Sequence, residues 1–373
     1  MKILIAGDFV INQPYSIDKI DQDVIDLFQK SDYNIVNLEA PVTNSTNKIL
    51  KTGPHLKADK DSTLSVLKTL EIDLVTLANN HIRDYDEEGV MDTLAFCNEN
   101  SIATVGAGKN KEEASNVFYI DSPEGKIGII NVAENEWASA TDNNAGANGM
   151  DLIDEVNKIQ IAKSKSDLVF VIVHGGHEFY NFPSPRMQNQ YRFYADQGAD
   201  IVVGHHMHCI SGFEVYKGTP IYYSLGNLVF TLNNTQNDWY IGLIVEIEIK
   251  DKKIMHRLHP ISQQKESFRL RLLNDFVREE TMDRIAKFNQ IIVNEAALKE
   301  EWNQYVQLKS KSYLDMWSPL TFVPKRIRYF SAVLRRLNIY FLNKKGMSLF
   351  LNLQSCEAHS DMSKEVINKY LKK

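Results

Sequence analysis

Three histidines, His205, His206 and His208, fall within four positions directly after the apolar run DIVVG. Polar residues of related types follow other apolar runs of the chain: Asp8, Glu39, Asn79, Asn80, His81, His174, His177 and Glu178. Imidazoles bind borderline divalent metals, and carboxylates bridge two ions. Cysteine is absent from this set, which favours an open catalytic site over a structural zinc. Two ions about 3.5–4 Å apart would hold a hydroxide and clamp a phosphoryl oxygen.

Short apolar runs that precede these residues predict the strands that must position them. Each run is rich in β-branched residues and leucine and stops at Gly, Asn or an acidic residue: KILIAG, NIVNLE, DLVTLANN, KIGIINVAE, DLVFVIVHGG and DIVVGHH. Between them, residues 60–70 and 87–100 have apolar positions at helical spacing. This alternation predicts an α/β fold. Because the carboxyl ends of such strands share one edge, where ligands bind, we expect the polar residues to converge there.

The chain changes character after these strands. Hairpin-like turns at Lys217 with Gly218 and at Asp251 with Lys252 predict an antiparallel component on one sheet. From Lys265 the strand signal fades and helical patterns follow, so we predict a domain at residues 1–264 and a helical, basic region at residues 265–373. This second region has 20 lysines and arginines against 12 acidic residues, whereas the chain as a whole has net charge −6.

Composition limits the compartment and the partners. The three cysteines are far apart, only five uncharged residues separate Lys2 from Asp8, and no apolar run is long enough to span a membrane, so we expect a cytoplasmic protein. Segment 325–345 combines basic, aromatic and aliphatic residues, which suits a peripheral contact with an anionic membrane or with a polymer synthase. Packing on the acidic first domain is the favoured alternative. We expect no nucleic-acid partner, since the acidic domain would repel phosphodiester polymers.

Six motifs in the first 260 residues carry a family resemblance. In order, they are GD at 7–8, NLE at 37–39, LANNH at 77–81 followed by Asp84, HGGHE at 174–178, GHHMH at 204–208 and YSLGN at 223–227. Together they resemble the CapA family, which is named for bacterial capsule and poly-γ-glutamate synthesis. The resemblance implies a metallophosphoesterase-like four-layer sandwich of two mixed β-sheets flanked by helices, with a helical C-terminal appendage.

The resemblance also implies a set of metal ligands for two divalent ions, Mn, Fe or Zn. Glu39 would bridge the ions. The first ion would be held by Asn80, His174 and His206, and the second by Asp8 and His208. Val10 stands where a further histidine is usual, so the second ion would have fewer protein ligands.

Other positions acquire roles in catalysis and substrate binding from the same resemblance. His81 would be the general acid toward the leaving group, and Asp84 would orient its ring. Glu178 would position substrate or water. Three further residues are expected to bind substrate at the rim of the site, namely His177, His205 and Asn227. For His177 and His205, which stand beside motif positions, simple exposure to solvent is the alternative.

The activity expected from this site is that of a metal-dependent phosphoesterase in capsule or other surface-polymer biosynthesis. Hydroxide activated by two metals would attack a phosphorylated or anionic polymer-related substrate. Two alternatives stay open. The chain could be a metal-binding scaffold of a polymer synthesis system that hydrolyses nothing, or a metal-dependent amide hydrolase or ligase that acts on an anionic peptide polymer.

Overall fold

A computed structural model describes residues 1–319, 328–337 and 339–355, together with residues 359, 367 and 371. The chain divides into two compact units, Met1–Trp302 and Asn303–Lys373. All of the predicted site residues belong to the first unit. Within the described residues, no helix has both the length and the apolar character needed to cross a membrane.

The strands of the first unit are short and interspersed with helices. In chain order the strands are β1 (Lys2–Val10), β2 (Tyr33–Leu38), β3 (Leu74–Thr76), β4 (Ala103–Val105), β5 (Ala107–Gly108), β6 (Phe118–Ser122), β7 (Gly125–Ala133), β8 (Gly146–Ala147), β9 (Leu168–His174), β10 (Ile201–His205), β11 (Phe213–Tyr216), β12 (Thr219–Tyr222), β13 (Asn227–Phe230), β14 (Ile241–Lys250), β15 (Lys253–Gln263) and β16 (Leu270–Leu272). The runs predicted as buried strands correspond to β1, β2, β3, β7, β9 and β10, which confirms those predictions.

The helices alternate with these strands and continue into the second unit. They are α1 (Gln22–Gln29), α2 (Lys60–Thr69), α3 (Asp86–Glu99), α4 (Lys111–Ala114), α5 (Leu152–Lys165), α6 (Pro185–Gln197), α7 (Asp275–Ile292), α8 (Glu295–Trp317), α9 (Arg328–Arg336) and α10 (Lys344–Ser355). Short 3-10 helices occur at Ile17–Lys19 and Asn237–Tyr240. Local sequence sets the ends of α6, because the Ser184 side chain accepts a hydrogen bond from the Met187 amide and Gly198 adopts φ 117°.

Two mixed sheets form the centre of the first unit. The larger sheet has the order β16-β15-β14-β1-β2-β3-β4, with β13 also paired to β1. The smaller has the order β11-β12-β10-β9-β7-β6. Strands β1 to β4 are mutually parallel, as are β7, β9, β10 and β12, and antiparallel strands lie at the edges of both sheets. The sequence predicted an antiparallel component on one sheet only. In the structure, both sheets contain antiparallel strands.

The alternation of side chains along β1 defines the layers. Leu4 and Ala6 pack with residues of α1 and α2, whereas Ile3 and Ile5 pack with residues of the smaller sheet. On the other face of that smaller sheet, α5 and α6 contact its strands. The order helices, sheet, sheet, helices is the four-layer sandwich of two mixed β-sheets that was predicted.

The first unit extends beyond the domain boundary predicted at residue 264. Leu270–Leu272, in a region expected to be helical, forms strand β16 because its backbone pairs with the end of β15. Helix α7 follows and buries Ile285 and Ile292. Strand pairing and apolar packing thus join these residues to the larger body, which ends at Trp302. Within the basic segment 325–345, residues 325–327 and 338 lie outside the described residues.

Candidate metal centre

The ends of parallel strands from both sheets meet in one buried cluster. Each of the six predicted metal ligands lies at or just after such an end: Asp8 in β1, Glu39 after β2, Asn80 after β3, His174 in β9, and His206 and His208 after β10. Each of these side chains belongs to a residue that is at most 8% exposed. The convergence predicted from the strand ends is therefore present in the fold.

Two groups of ligand atoms share one carboxylate. Glu39, His174 and His206 form the first group, and Asp8, Glu39 and His208 form the second, with ligand atoms within 4.8 Å of one another in each group. Glu39 Oε1 lies 3.5 Å from His174 Nε2 and 3.7 Å from His208 Nε2. Asn80 adds an oxygen to the first group, since its Oδ1 is 3.0 Å from His174 Nε2. Glu39 is therefore common to both groups of candidate ligand atoms.

Glu39 provides the strongest indication of a cation. Both of its carboxylate oxygens are buried, and neither has a hydrogen-bond partner within the described residues. Burial raises the pKa of Glu39 well above its usual value; the charge of His208 opposes this rise and that of Asp8 adds to it. An unpaired buried carboxylate is costly unless a positive charge compensates it. Carboxylate oxygen and imidazole nitrogen together suit divalent zinc, manganese or iron, so the residues present fit a metal ion.

The ionisation of the imidazoles also suits metal binding. Burial, with a contribution from the neighbouring His206, lowers the pKa of His174 well below its usual value. Burial and His208 likewise lower the pKa of His206. Both rings are then neutral near pH 7, which is the form that binds metals. Burial alone would lower the pKa of His208, but the negative charges of Glu39 and Asp8 raise it to about 10.

Two asparagines hold the ligands in place. Asn37 donates a hydrogen bond to Asp8 Oδ1 at 2.7 Å and lies 3.2 Å from His174 Nδ1. No role was predicted for Asn37, although residues two apart on a strand share a face and Glu39 is two positions further on. Asn227 Oδ1 lies 3.0 Å from His208 Nδ1, and its amide donates to the Trp239 carbonyl. Such partners orient metal-binding imidazoles.

Two of the three predicted substrate-binding residues lie elsewhere than expected. Asn227 is 2% exposed and supports His208, so it does not reach the rim. His205 is 1% exposed, and its Nδ1 is 3.4 Å from Asp8 Oδ1. Successive residues of a strand point to opposite faces. The ring of His205, the last residue of β10, therefore packs against Asp8 in the interior and is not accessible to a substrate. His177 is half-buried, with its ring 5.1 Å from that of Trp302, and Glu178 is exposed.

The turn after β10 has an unusual backbone. His206 and His208 have φ values of 89° and 53°, in the left-handed region that residues other than glycine seldom adopt. Each such residue costs about 1–3 kcal/mol. The buried side chain of Met207 anchors the turn between them, and the His206 amide donates to Asp8 Oδ2 at 3.2 Å. The strain is consistent with a loop shaped to present two imidazoles.

The approach of β1 to the turn before β13 depends on Gly7. A Cβ atom at this position would lie 2.0 Å from the Gly226 carbonyl oxygen, which also accepts a hydrogen bond from the Asp8 amide. Since the clash is with backbone, we expect Gly7→Ala to displace Asp8, to lower the free energy of unfolding by about 3 kcal/mol and to weaken metal binding. Urea denaturation and metal analysis would check this.

A matched control is Gly346→Ala, where the nearest heavy atom would be 3.6 Å from the new Cβ, an ordinary contact. We expect this variant to behave as wild type. Unchanged stability and metal content in Gly7→Ala would show that the two backbones need not approach so closely.

His81 lies beside the cluster with its ring held at one nitrogen. Its Nδ1 is 2.6 Å from Asp84 Oδ2, which is the contact that the resemblance implied. Asn79 supports the loop by accepting hydrogen bonds from the amides of His81 and Ile82 at 3.1 and 2.8 Å. Lys51 also reaches this pair, with its Nζ 3.1 Å from His81 Nδ1. No sequence pattern distinguishes Lys51, which lies in an irregular segment among several other lysines.

Comparisons with known proteins identify the family. Residues 2–232 match the family described as bacterial capsule synthesis protein PGA_cap. The PGA biosynthesis protein CapA of Bacillus subtilis is 36% identical over 234 residues, which cover 61% of this chain and 61% of that protein. The capsule biosynthesis protein CapA of Bacillus anthracis is 34% identical over 230 residues, which cover 59% of this chain and 56% of that protein.

The chain spans about three-fifths of the length of these two relatives. Among solved structures, a phosphatase from Mycoplasma pneumoniae aligns with 72% of this chain and 95% of its own, at 15% identity and a TM-score of 0.47. That similarity is too low to assign an activity. The family match covers more than half of the chain and includes all six quoted motifs in full. The chain belongs to the bacterial capsule synthesis protein family PGA_cap.

Proposed function

We propose that this chain is a metal-dependent phosphoesterase that acts in the synthesis of capsule or another surface polymer. The observation that carries the proposal is Glu39. Its two buried oxygens have no hydrogen-bond partner among the described residues, and its Oε1 lies near both His174 Nε2 and His208 Nε2. The two ligand groups that share this carboxylate would hold two divalent ions. The role in polymer synthesis is inferred from the names of the relatives, and the substrate class that we infer is a phosphorylated or anionic polymer-related molecule.

When bound, a pair of such ions polarises a phosphoryl oxygen and makes water a nucleophile at neutral pH. The residues of the chain perform the remaining steps. Neutral His174 and His206 offer nitrogen lone pairs, while Asn37 fixes the orientation of Asp8. Glu178, exposed at the rim, would position substrate or water.

His81 would supply the proton that the leaving oxygen needs. Its Nδ1 is bound to Asp84, so Nε2 is the nitrogen that can donate a proton to the leaving group. Burial lowers the pKa of His81, and the hydrogen bond to Asp84 opposes that effect. General acid catalysis is most efficient when the pKa of the donor lies near the operating pH, so the contact with Asp84 favours the protonated ring that the reaction needs.

Removal and replacement of metal tests the proposal. The protein would be stripped with a chelator, refilled with Mn²⁺, Zn²⁺ or Fe²⁺, and assayed for metal content and for hydrolysis of an aryl phosphate. We expect two ions per chain and turnover that depends on them. His259→Ala is a suitable control, because this histidine is bonded to Glu246 on the β14–β15 pair, away from the ligands. Undiminished turnover by the stripped protein would contradict the proposal.

A scaffold without hydrolytic activity is the second candidate. It is favoured by Val10, which is fully buried in the apolar core and offers no ligand to the ion beside Asp8. One ion or none per chain, without activity on a panel of phosphoesters, would support it. Adding γ-linked glutamate peptides to that panel would test cleavage of an amide, since the same ions could polarise a carbonyl group.

A further inference from the structure

Lys51 is a buried lysine next to the proposed acid. Its side chain is 2% exposed, although it lies in the irregular segment between β2 and α2. Its Nζ forms an ion pair with Asp84 Oδ1 and lies 3.1 Å from His81 Nδ1. Lysines are almost never buried without a specific partner. The ammonium group therefore belongs to the same cluster as His81 and Asp84.

Each oxygen of Asp84 has its own partners. Oδ1 faces Lys51, whereas Oδ2 contacts His81 Nδ1 at 2.6 Å and accepts a hydrogen bond from the Leu56 amide at 2.7 Å. The carboxylate is fully buried, so it cannot exchange any of these partners for bulk water. Removing Lys51 would leave Oδ1 without a partner and free the carboxylate to rotate toward new ones.

Stability alone does not account for this lysine. Burying an ammonium and a carboxylate costs several kcal/mol in lost hydration for each ion, and apolar residues of similar size often stabilise a protein as well or better. The Leu56 amide and the His81 ring would also satisfy one oxygen of Asp84 without any lysine. The particular effect of Lys51 is to hold the second oxygen, which sets the angle of the carboxylate that binds the imidazole.

We propose that Lys51 is a positioning residue for His81. By holding Asp84 at Oδ1, it keeps Oδ2 aimed at Nδ1 and so fixes the plane of the ring, with Nε2 directed to the leaving group. This inference rests on the proposed phosphoesterase function. Its consequence is specific: Lys51 matters for esters whose leaving group needs a proton, and it matters little for esters whose leaving group departs as a stable anion.

The test compares Lys51→Met with Lys57→Met. Methionine keeps most of the stem of Lys51 and removes the charge. Lys57 lies in the same segment and is also partly buried, but it bonds the Ser45 carbonyl and lies over the Tyr85 ring. Turnover would be measured with 4-nitrophenyl phosphate and with an alkyl phosphate, on metal-loaded protein of verified metal content.

We expect Lys51→Met to lower kcat for the alkyl ester by about 10–100-fold, the usual effect of removing an outer partner, and kcat for the nitrophenyl ester by less than about threefold. Metal content and the turnover of Lys57→Met should match wild type. An equal loss on both esters would show a merely structural role, and no loss on either would show no role. Both results would overturn the inference.

A second measurement does not depend on activity. In metal-free protein labelled with ¹⁵N-histidine, the proton on His81 Nδ1 should give a low-field NMR signal because its hydrogen bond to Asp84 is short. We expect Lys51→Met to broaden or abolish this signal and Lys57→Met to retain it. A signal unchanged in Lys51→Met would overturn the inference. If wild type cleaves neither ester, the phosphoesterase proposal fails, and the NMR comparison still decides whether Lys51 positions the ring.

Discussion

Glu39→Gln is expected to lower kcat for phosphoester hydrolysis by about a thousandfold or more, because the several kcal/mol contributed by a bound ion correspond to that factor. Glutamine has almost the same volume but cannot bridge two cations as a carboxylate does. The shared position of Glu39 in both ligand groups means that neither ion would keep its full set of ligands.

The same substitution should have the opposite effect on the metal-free protein. Both oxygens of Glu39 are buried without hydrogen-bond partners among the described residues. A neutral side chain removes that cost, so we expect the free energy of unfolding of the metal-free protein to rise by about 1–2 kcal/mol. The carboxylate of Glu39 would then lower the stability of the metal-free protein while it serves metal binding, a trade-off that is common at functional sites.

Calorimetry and metal analysis would check both effects. Wild type should gain thermal stability when Mn²⁺ or Zn²⁺ is added, whereas Glu39→Gln should gain little. Glu246→Gln provides the control, because this nearly buried glutamate is paired with His259 and Lys2 rather than with the ligands. Full metal binding by Glu39→Gln, or a less stable metal-free form, would contradict the assignment of Glu39.

His81→Ala is expected to lower kcat for an alkyl phosphate by about 10²–10⁴-fold, the range usual for general acid catalysis. The loss for 4-nitrophenyl phosphate should be much smaller, since that leaving group departs without a proton. Metal content should remain at the wild-type level, because His81 belongs to neither ligand group. This combination separates an acid from a ligand, whose removal would affect both esters alike.

Steady-state kinetics of His81→Ala and wild type on both esters, at matched metal content, would test this prediction. His55→Ala is an informative control: His55 is also partly buried near this loop, but its Nε2 contacts the Ile49 carbonyl rather than Asp84. We expect that variant to retain wild-type turnover. An equal loss of turnover on the two esters in His81→Ala would show that the histidine has another role.

The family and the cluster of ligands could be predicted because both depend on local patterns. Apolar runs such as DLVFVIVH can be satisfied only as buried strands, and parallel strands bring their carboxyl ends to one edge. Asp8, Glu39 and His174 could therefore be placed together before any coordinates were known. Two groups of carboxylate and imidazole atoms share Glu39 in the fold.

Tertiary structure decided which side chains of a motif face the cluster and which support it. The sequence GHHMH cannot distinguish His205, which lies behind Asp8, from His206, because that difference depends on the end of β10 and on a turn with positive φ. Pairing between β15 and β16 likewise extends the first unit beyond the predicted boundary. The helical pattern of the sequence after Lys265 did not predict this strand.

The sequence by itself determined the strands, the chemical types of the ligands and their common edge, because each follows from the spacing of apolar and polar residues along the chain. Only the folded structure revealed the partners of those ligands. The partners contacted by Lys51, Asn37 and Asn227 are distant in the sequence, and no local sequence pattern predicts such contacts. The physical reason is that strand formation responds to neighbouring residues, whereas the surroundings of a buried charge depend on the whole packed interior.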